Sequence, residues 1–142
     1  QAPAAVAHRA APYYFDDAPG AASQVSAEAA PGDAVAWVGA VARPLVAPHL
    51  EGGAGVRPRD ALLVAAPERS ATLGGEEVPE ERREEALAPH PRVWLVGTRA
   101  TATGDLSRRS PTAVAATAER ELVSRRDHGW VRVELWVARP AA

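Results

Sequence analysis

The chain has 142 residues, a length that suits one domain with a continuous core. Its 16 basic residues are all arginine and face 18 acids, so a net charge of -2 leaves no basic excess for tracking phosphates and speaks against a nucleic-acid partner. The absence of cysteine excludes disulfides and thiolate metal sites, and no apolar run approaches the ~20 residues that a membrane-spanning helix needs.

Lys, Ile, Asn, Met and Cys are missing and alanine is abundant, the usage of a very GC-rich genome, so the Ala, Arg and Pro content says little about function. The opening "QAPAAVAHRAAP" has no apolar period and reads as a linker over residues 1–14. Without a Met at Gln1, the chain reads as an excised or processed piece of something longer. A single domain is expected over residues 15–139, with a short tail over 140–142.

"DDAPGAASQVSAEAAPGD" predicts a helix with Asp16 or Asp17 as N-cap, a stripe of Ala18, Ala22, Val25 and Ala29, and Pro31-Gly32 as the stop. "DAVAWVG" (residues 33–39), "DALLVAA" (60–66) and "RVWLVGT" (92–98) are near-continuous apolar runs, the pattern of strands buried on both faces. Between the first two lies "RPLVAPHL", a short helix that Pro48 should interrupt. Between the second and third, "VPEERREEALAPH" predicts a helix with Pro79 in its first turn and a charged outer face.

Ser110 as N-cap and Pro111 at the first helical position open a further helix, with Val114, Ala115, Ala118 and Leu122 on one stripe and Gly129 as its stop. The terminal "GWVRVELWVAR" alternates, placing Val131, Val133, Leu135 and Val137 on one face and Trp130, Arg132, Glu134 and Trp136 on the other, as a half-exposed edge strand would. Helix and strand thus alternate through the chain. The expected fold is α/β, a small three-layer Rossmann-like sandwich whose four-stranded, mostly parallel sheet has order 3-2-1-4 and helices on both faces.

Ligands of open α/β sheets bind beyond the carboxyl ends of the strands, which directs attention to "GAVARP", "PERSATLGG" and "TRATATGD". Arg43, Arg69 and Arg99 follow the three strands and could converge on an anionic group, with Glu68 and Thr98 beside them as further ligand-binding candidates. The plainer reading is that these arginines are solvated or ion-paired with Glu68 and Asp105. Ser70, Thr72, Thr98 and Asp105 could supply a nucleophile and an acid, yet no Gly-x-Ser-x-Gly elbow accompanies them. No dinucleotide fingerprint follows the first strand, and "GGAG" (residues 52–55) is a plain loop, so no cofactor is implied. His8, His49, His90 and His128 lack metal-ligand spacing, and no metal is implied either. Trp37 and Trp94 belong to the core, whereas Trp130 and Trp136 could form an exposed stacking platform on the last strand.

The succession "DDAPGAASQVSAEAAPGDAVAWV", "RDALLVAAPERSATLGGEEVPEE", "RVWLVGT" and "VRVELWV" is similar to the C-terminal soluble tail of polytopic GT-C membrane glycosyltransferases of high-GC bacteria, those resembling dolichyl-phosphate-mannose-protein mannosyltransferases. The likeness covers residues 16–139 and departs at Pro19-Gly20, where those tails carry an Arg and alanines, and in the first strand's loop, which lacks their tyrosines. It implies an accessory, non-catalytic domain on the extracytoplasmic side of the plasma membrane, joined to a membrane-embedded part of the same polypeptide. That part would move a sugar from a polyprenyl-phosphate carrier, and the domain could position a glycan acceptor or the carrier. The family's catalytic carboxylates lie in loops between early membrane helices, and no position here corresponds to them. Two rival readings stand beside it: a free-standing small α/β hydrolase or nucleotide-binding domain using Ser70, Thr98 or Asp105, and a structural or oligomerisation domain whose last strand pairs edge to edge.

Overall fold

The structure, a computed structural model, describes residues 16–51, 55–72, 74–98, 106–108 and 110–140. Expectations that fall on the N-terminal linker, on most of "GGAG", on Arg99 and on Asp105 lie outside the described residues.

The chain opens with helix α1 (Ala18–Glu28), where the Asp17 side chain accepts a hydrogen bond from the Gly20 amide at 2.9 Å, the N-cap expected of it. Strand β1 (Ala34–Val38) and helix α2 (Ala42–Glu51) follow. Pro48 does not interrupt α2. Its missing N–H removes one hydrogen bond in the second half of the helix, while Val46 and Leu50 on either side of it are seated in the core.

The run "DALLVAA" yields only the short strand β2 (Leu63–Ala65), which pairs antiparallel with β3 (Glu76–Glu77) around the one-turn helix α3 (Pro67–Ser70). This hairpin is not part of the main sheet. Leu62 is its fully buried member, Val64 faces out, and the link to the sheet is a bridge between Arg59 and Ala34. A 3-10 turn (Glu80–Arg82) leads into α4 (Arg83–Leu87), then β4 (Arg92–Thr98), α5 (Pro111–Thr117), β5 (Arg120–His128) and β6 (Val131–Ala138).

The main sheet has order β1-β4-β6-β5. Only β1 and β4 run parallel; β6 is antiparallel to both β4 and β5. The fold is therefore mixed α/β, and the expected mostly parallel sheet with order 3-2-1-4 is corrected. The cause lies after Ser110. That residue caps α5 as expected, its hydroxyl accepting from the Ala113 amide at 3.1 Å, but the helix ends at Thr117 and Glu119 adopts a left-handed φ of 59°. Residues 120–128 then form a strand, and Gly129 at φ 62° turns it back into β6 as a tight hairpin. Leu122 lies on the helical stripe by coincidence of spacing. The charged, bulged strand it belongs to is the sheet's edge, and β6 is interior.

Helices cover both faces. Trp37, Trp94, Val96 and Val133 pack beneath α1 and α2, whose small residues Ala18, Ala21, Ala22 and Ala42 let the helices approach closely. On the opposite face Ala36, Val93, Leu95 and Trp136 pack with Leu62, with Leu87 of α4 and with Ala113 and Ala116 of α5. Trp136 is thus core, not an exposed platform; its indole donates to the buried Glu134 carboxylate at 2.9 Å. Trp130 is half-buried at the hairpin turn.

Candidate functional site

A cleft of about 520 Å³ lies beyond the carboxyl end of β1. Gly39, at φ 87°, turns the chain out of the strand, and α2 then places Arg43 against the cleft floor beside Trp37. The β2–β3 hairpin contributes the far wall. Gly75 sits there at φ 82°, with a Cβ excluded by Leu63 Cδ1 at 2.7 Å and Ala65 O at 2.9 Å, so only glycine allows the backbone to lie this close. From the helices of the opposite face come Arg83 at the start of α4, and Ser110 and Thr112 at the start of α5.

These side chains form one connected network. The Arg43 guanidinium grips Asp60 in bidentate fashion, Nε to Oδ2 at 2.8 Å and Nη2 to Oδ1 at 2.9 Å. It also donates through Nη2 to Glu77 Oε2 at 2.5 Å and through Nη1 to the Gly74 carbonyl at 2.8 Å. Asp60 Oδ2 takes a further hydrogen bond from the Trp37 indole at 3.1 Å. Arg83 donates to the Val78 carbonyl and to Thr112 Oγ1 at 2.9 Å, with its second amino group 3.8 Å from Glu77 Oε1. Burial works to lower the Arg43 pKa, but hydrogen bonding and charge from Asp60, then Glu77, outweigh it and raise the value, so the guanidinium stays charged. The two guanidiniums and two carboxylates of this network cancel in charge and fix donors and acceptors along the cleft wall.

The segments after the first two expected strands do line this cleft, through Gly39, Ala40 and Arg43 and through Thr72, Gly74 and Gly75. Glu68 and Arg69 lie exposed on α3, Thr98 ends β4, and none of the three lines the cleft. Arg43, Arg69 and Thr98 are thus not brought to one point, and Arg99 and Asp105 lie outside the described residues. The Ser70 and Thr72 hydroxyls hydrogen-bond each other at 2.7 Å on the exposed tip of the hairpin. Asp60, Glu77, Arg83, Ser110 and Thr112 were not among the expected site residues. "PEERREEA" reads as a solvated helix face, and nothing in its spacing marks Arg83 as turning inward, while Glu77 lies just before the expected helix with no signal of its own.

A second cleft, about 590 Å³, runs between α1 and α2 and is walled mainly by small residues with His49 at its side. It offers few fixed polar groups, so the cleft at the end of β1 is the better candidate. Among the described residues no cluster of His, Asp and Glu could hold a metal ion, and no helix is long and apolar enough to cross a membrane. No protein-family profile, curated protein or solved structure matches the chain.

Proposed function

We propose that this chain is a non-catalytic accessory domain of a polytopic membrane sugar transferase, standing on the extracytoplasmic side beside the membrane-embedded part of the same polypeptide. Its cleft at the end of β1 then holds a neutral sugar of the acceptor or carrier. The observation that carries this reading is how Arg43 is used. A guanidinium fastened to Asp60, Glu77 and the Gly74 carbonyl has its charge already answered, so it stiffens the wall instead of collecting an anion. What the cleft offers a ligand is a set of fixed hydrogen-bonding groups: the Thr112 and Ser110 hydroxyls, the outer amino group of Arg83 and the backbone around Gly74 and Gly75. Such a surface complements the hydroxyls of a sugar, which both donate and accept.

The membrane context rests on the order of sequence segments resembling the soluble tails of GT-C glycosyltransferases. The coding sequence upstream of Gln1 tests it: a series of apolar segments of about 20 residues each, with an acidic pair in the first external loop, supports the reading. An upstream sequence without membrane-length segments overturns it.

A further inference from the structure

We infer that β5 is a homodimerisation edge, at which a second copy of this chain adds its own β5 antiparallel across a two-fold axis to continue the sheet. Among the described residues β6 is the one strand beside β5, and at the end of β5 the Asp17 amide donates to the His128 carbonyl at 3.2 Å. Edge strands resist association by being short, by proline, by bulges, by inward-turned charges or by exposed charges that an incoming strand cannot match. β5 carries a bulge and exposed charges, so association depends on a partner whose charges match them. β5 has nine residues and no proline, and Leu122 and Val123 are 36% and 57% exposed at its middle.

Its charges favour a second copy over an unrelated strand. Register with β6 places Glu121 opposite Val137 and Arg126 opposite Val133, so both lie on the face covered by α1 and α2. Leu122 and Arg125, opposite Trp136 and Glu134, share the other face. When two such strands run antiparallel with Val123 of each opposite Ser124 of the other, Glu121 meets Arg126 twice and Leu122 meets the aliphatic stem of Arg125 twice. Both of these pairs join residues of the same face. The bulge between Leu122 and Ser124 falls at the two-fold axis, where both copies bend alike. Arg126 is free to swing toward this partner, since its side chain is well exposed and its contact with Glu28 is long, at 4.0 Å. Arg120 offers no repulsion because its guanidinium is buried among helix carbonyls. An isologous contact of this kind closes at two copies.

Sedimentation equilibrium of the full chain, from about 10 μM to 1 mM, reads the association directly. The wild type is expected to shift from monomer to dimer across that range. Glu121→Arg sets like charges opposite each other at both symmetric positions and is expected to weaken association about tenfold or more. The double exchange Glu121→Arg with Arg126→Glu restores the pairing and is expected to return the dimer. Circular dichroism confirms that each variant folds, as these side chains are exposed. A wild type that stays monomeric throughout, a single reversal without effect, or a double exchange that fails to recover the dimer overturns the inference.

Discussion

Asp33 is the residue on which the entry into the sheet turns. Although only 3% exposed, its carboxylate accepts from the Ala30 amide and from the Trp94 indole, both at 2.9 Å, and pairs with Arg92 at 3.0 Å. It ties the turn after α1 to the neighbouring strand β4. Asp33→Ala leaves two N–H groups without their acceptor and is expected to cost about 2–4 kcal/mol, read as a lower urea midpoint at unchanged slope. His128 gives a second residue-scale test. Burial lowers its pKa below the ordinary imidazole value of 6.5, with Asp17 and Asp127 opposing and Arg126 assisting. Neutral His128 donates from Nε2 to Gln24 Oε1 at 2.7 Å, joining β5 to α1. Because the folded value lies below the unfolded one, the unfolded chain takes up the proton first as pH falls. Stability is therefore full above about pH 6.5 and declines as pH drops through the depressed folded value. Denaturation midpoints across pH 5–8 are expected to show this slope in the wild type and to lose it in His128→Gln, which keeps an amide to donate toward Gln24.

At the scale of elements, Arg120 does what no capping box does here. From the first position of β5 its guanidinium reaches back to the Ala116 carbonyl at the end of α5 and to the Leu87 and His90 carbonyls after α4, at 3.1, 2.8 and 2.6 Å. One cation thus satisfies acceptors at two helix C-termini, where the dipole also favours positive charge. Burial pushes its pKa down, with Glu84 in opposition, and its Nε finds no partner, so part of the gain is offset by desolvation. Arg120→Met is expected to cost about 2 kcal/mol and to speed amide exchange in the last turns of α4 and α5 ahead of the sheet. The elements most legible in the sequence were those with their own punctuation. Asp17 and Pro31-Gly32 bound α1, Ser110-Pro111 opens α5, and the Trp-bearing runs give β1 and β4. The apolar run at residues 60–66 misled because an alanine-rich chain supplies such runs freely, and here only Leu62 is fully seated in the core. β5 was hidden for the opposite reason. As an edge strand carrying mostly polar side chains it lacks an alternating pattern, and the end of α5 is set by a left-handed Glu119 that no glycine announces.

For the whole molecule, the antiparallel hairpin β5–β6 changes the topology but not the layering, since β1, β4 and β6 remain covered by helices on both faces. The site follows from that layering: α2 from one face, α4 and α5 from the other and the β2–β3 hairpin between them meet past the end of β1. Arg43 was visible from its place after the first strand. Its carboxylate partners were not, because Asp60 and Glu77 reach it across 17 and 34 residues of chain through a hairpin off the main sheet. Arg43 is a poor position for probing function, since its removal would strand two carboxylates that it now pairs. Arg83, at the cleft wall with one amino group held only by a long ion pair, is the better probe. Amide chemical shifts of the labelled chain, titrated with mannose and separately with inorganic phosphate, give the most direct test of the central claim. The expected result is saturable shifts on adding mannose that cluster at Gly39, Gly74, Gly75 and Thr112, are lost in Arg83→Gln and are not reproduced by phosphate. Mannose shifts that are absent or scattered over the surface, or a cleft that responds to phosphate instead, would contradict it.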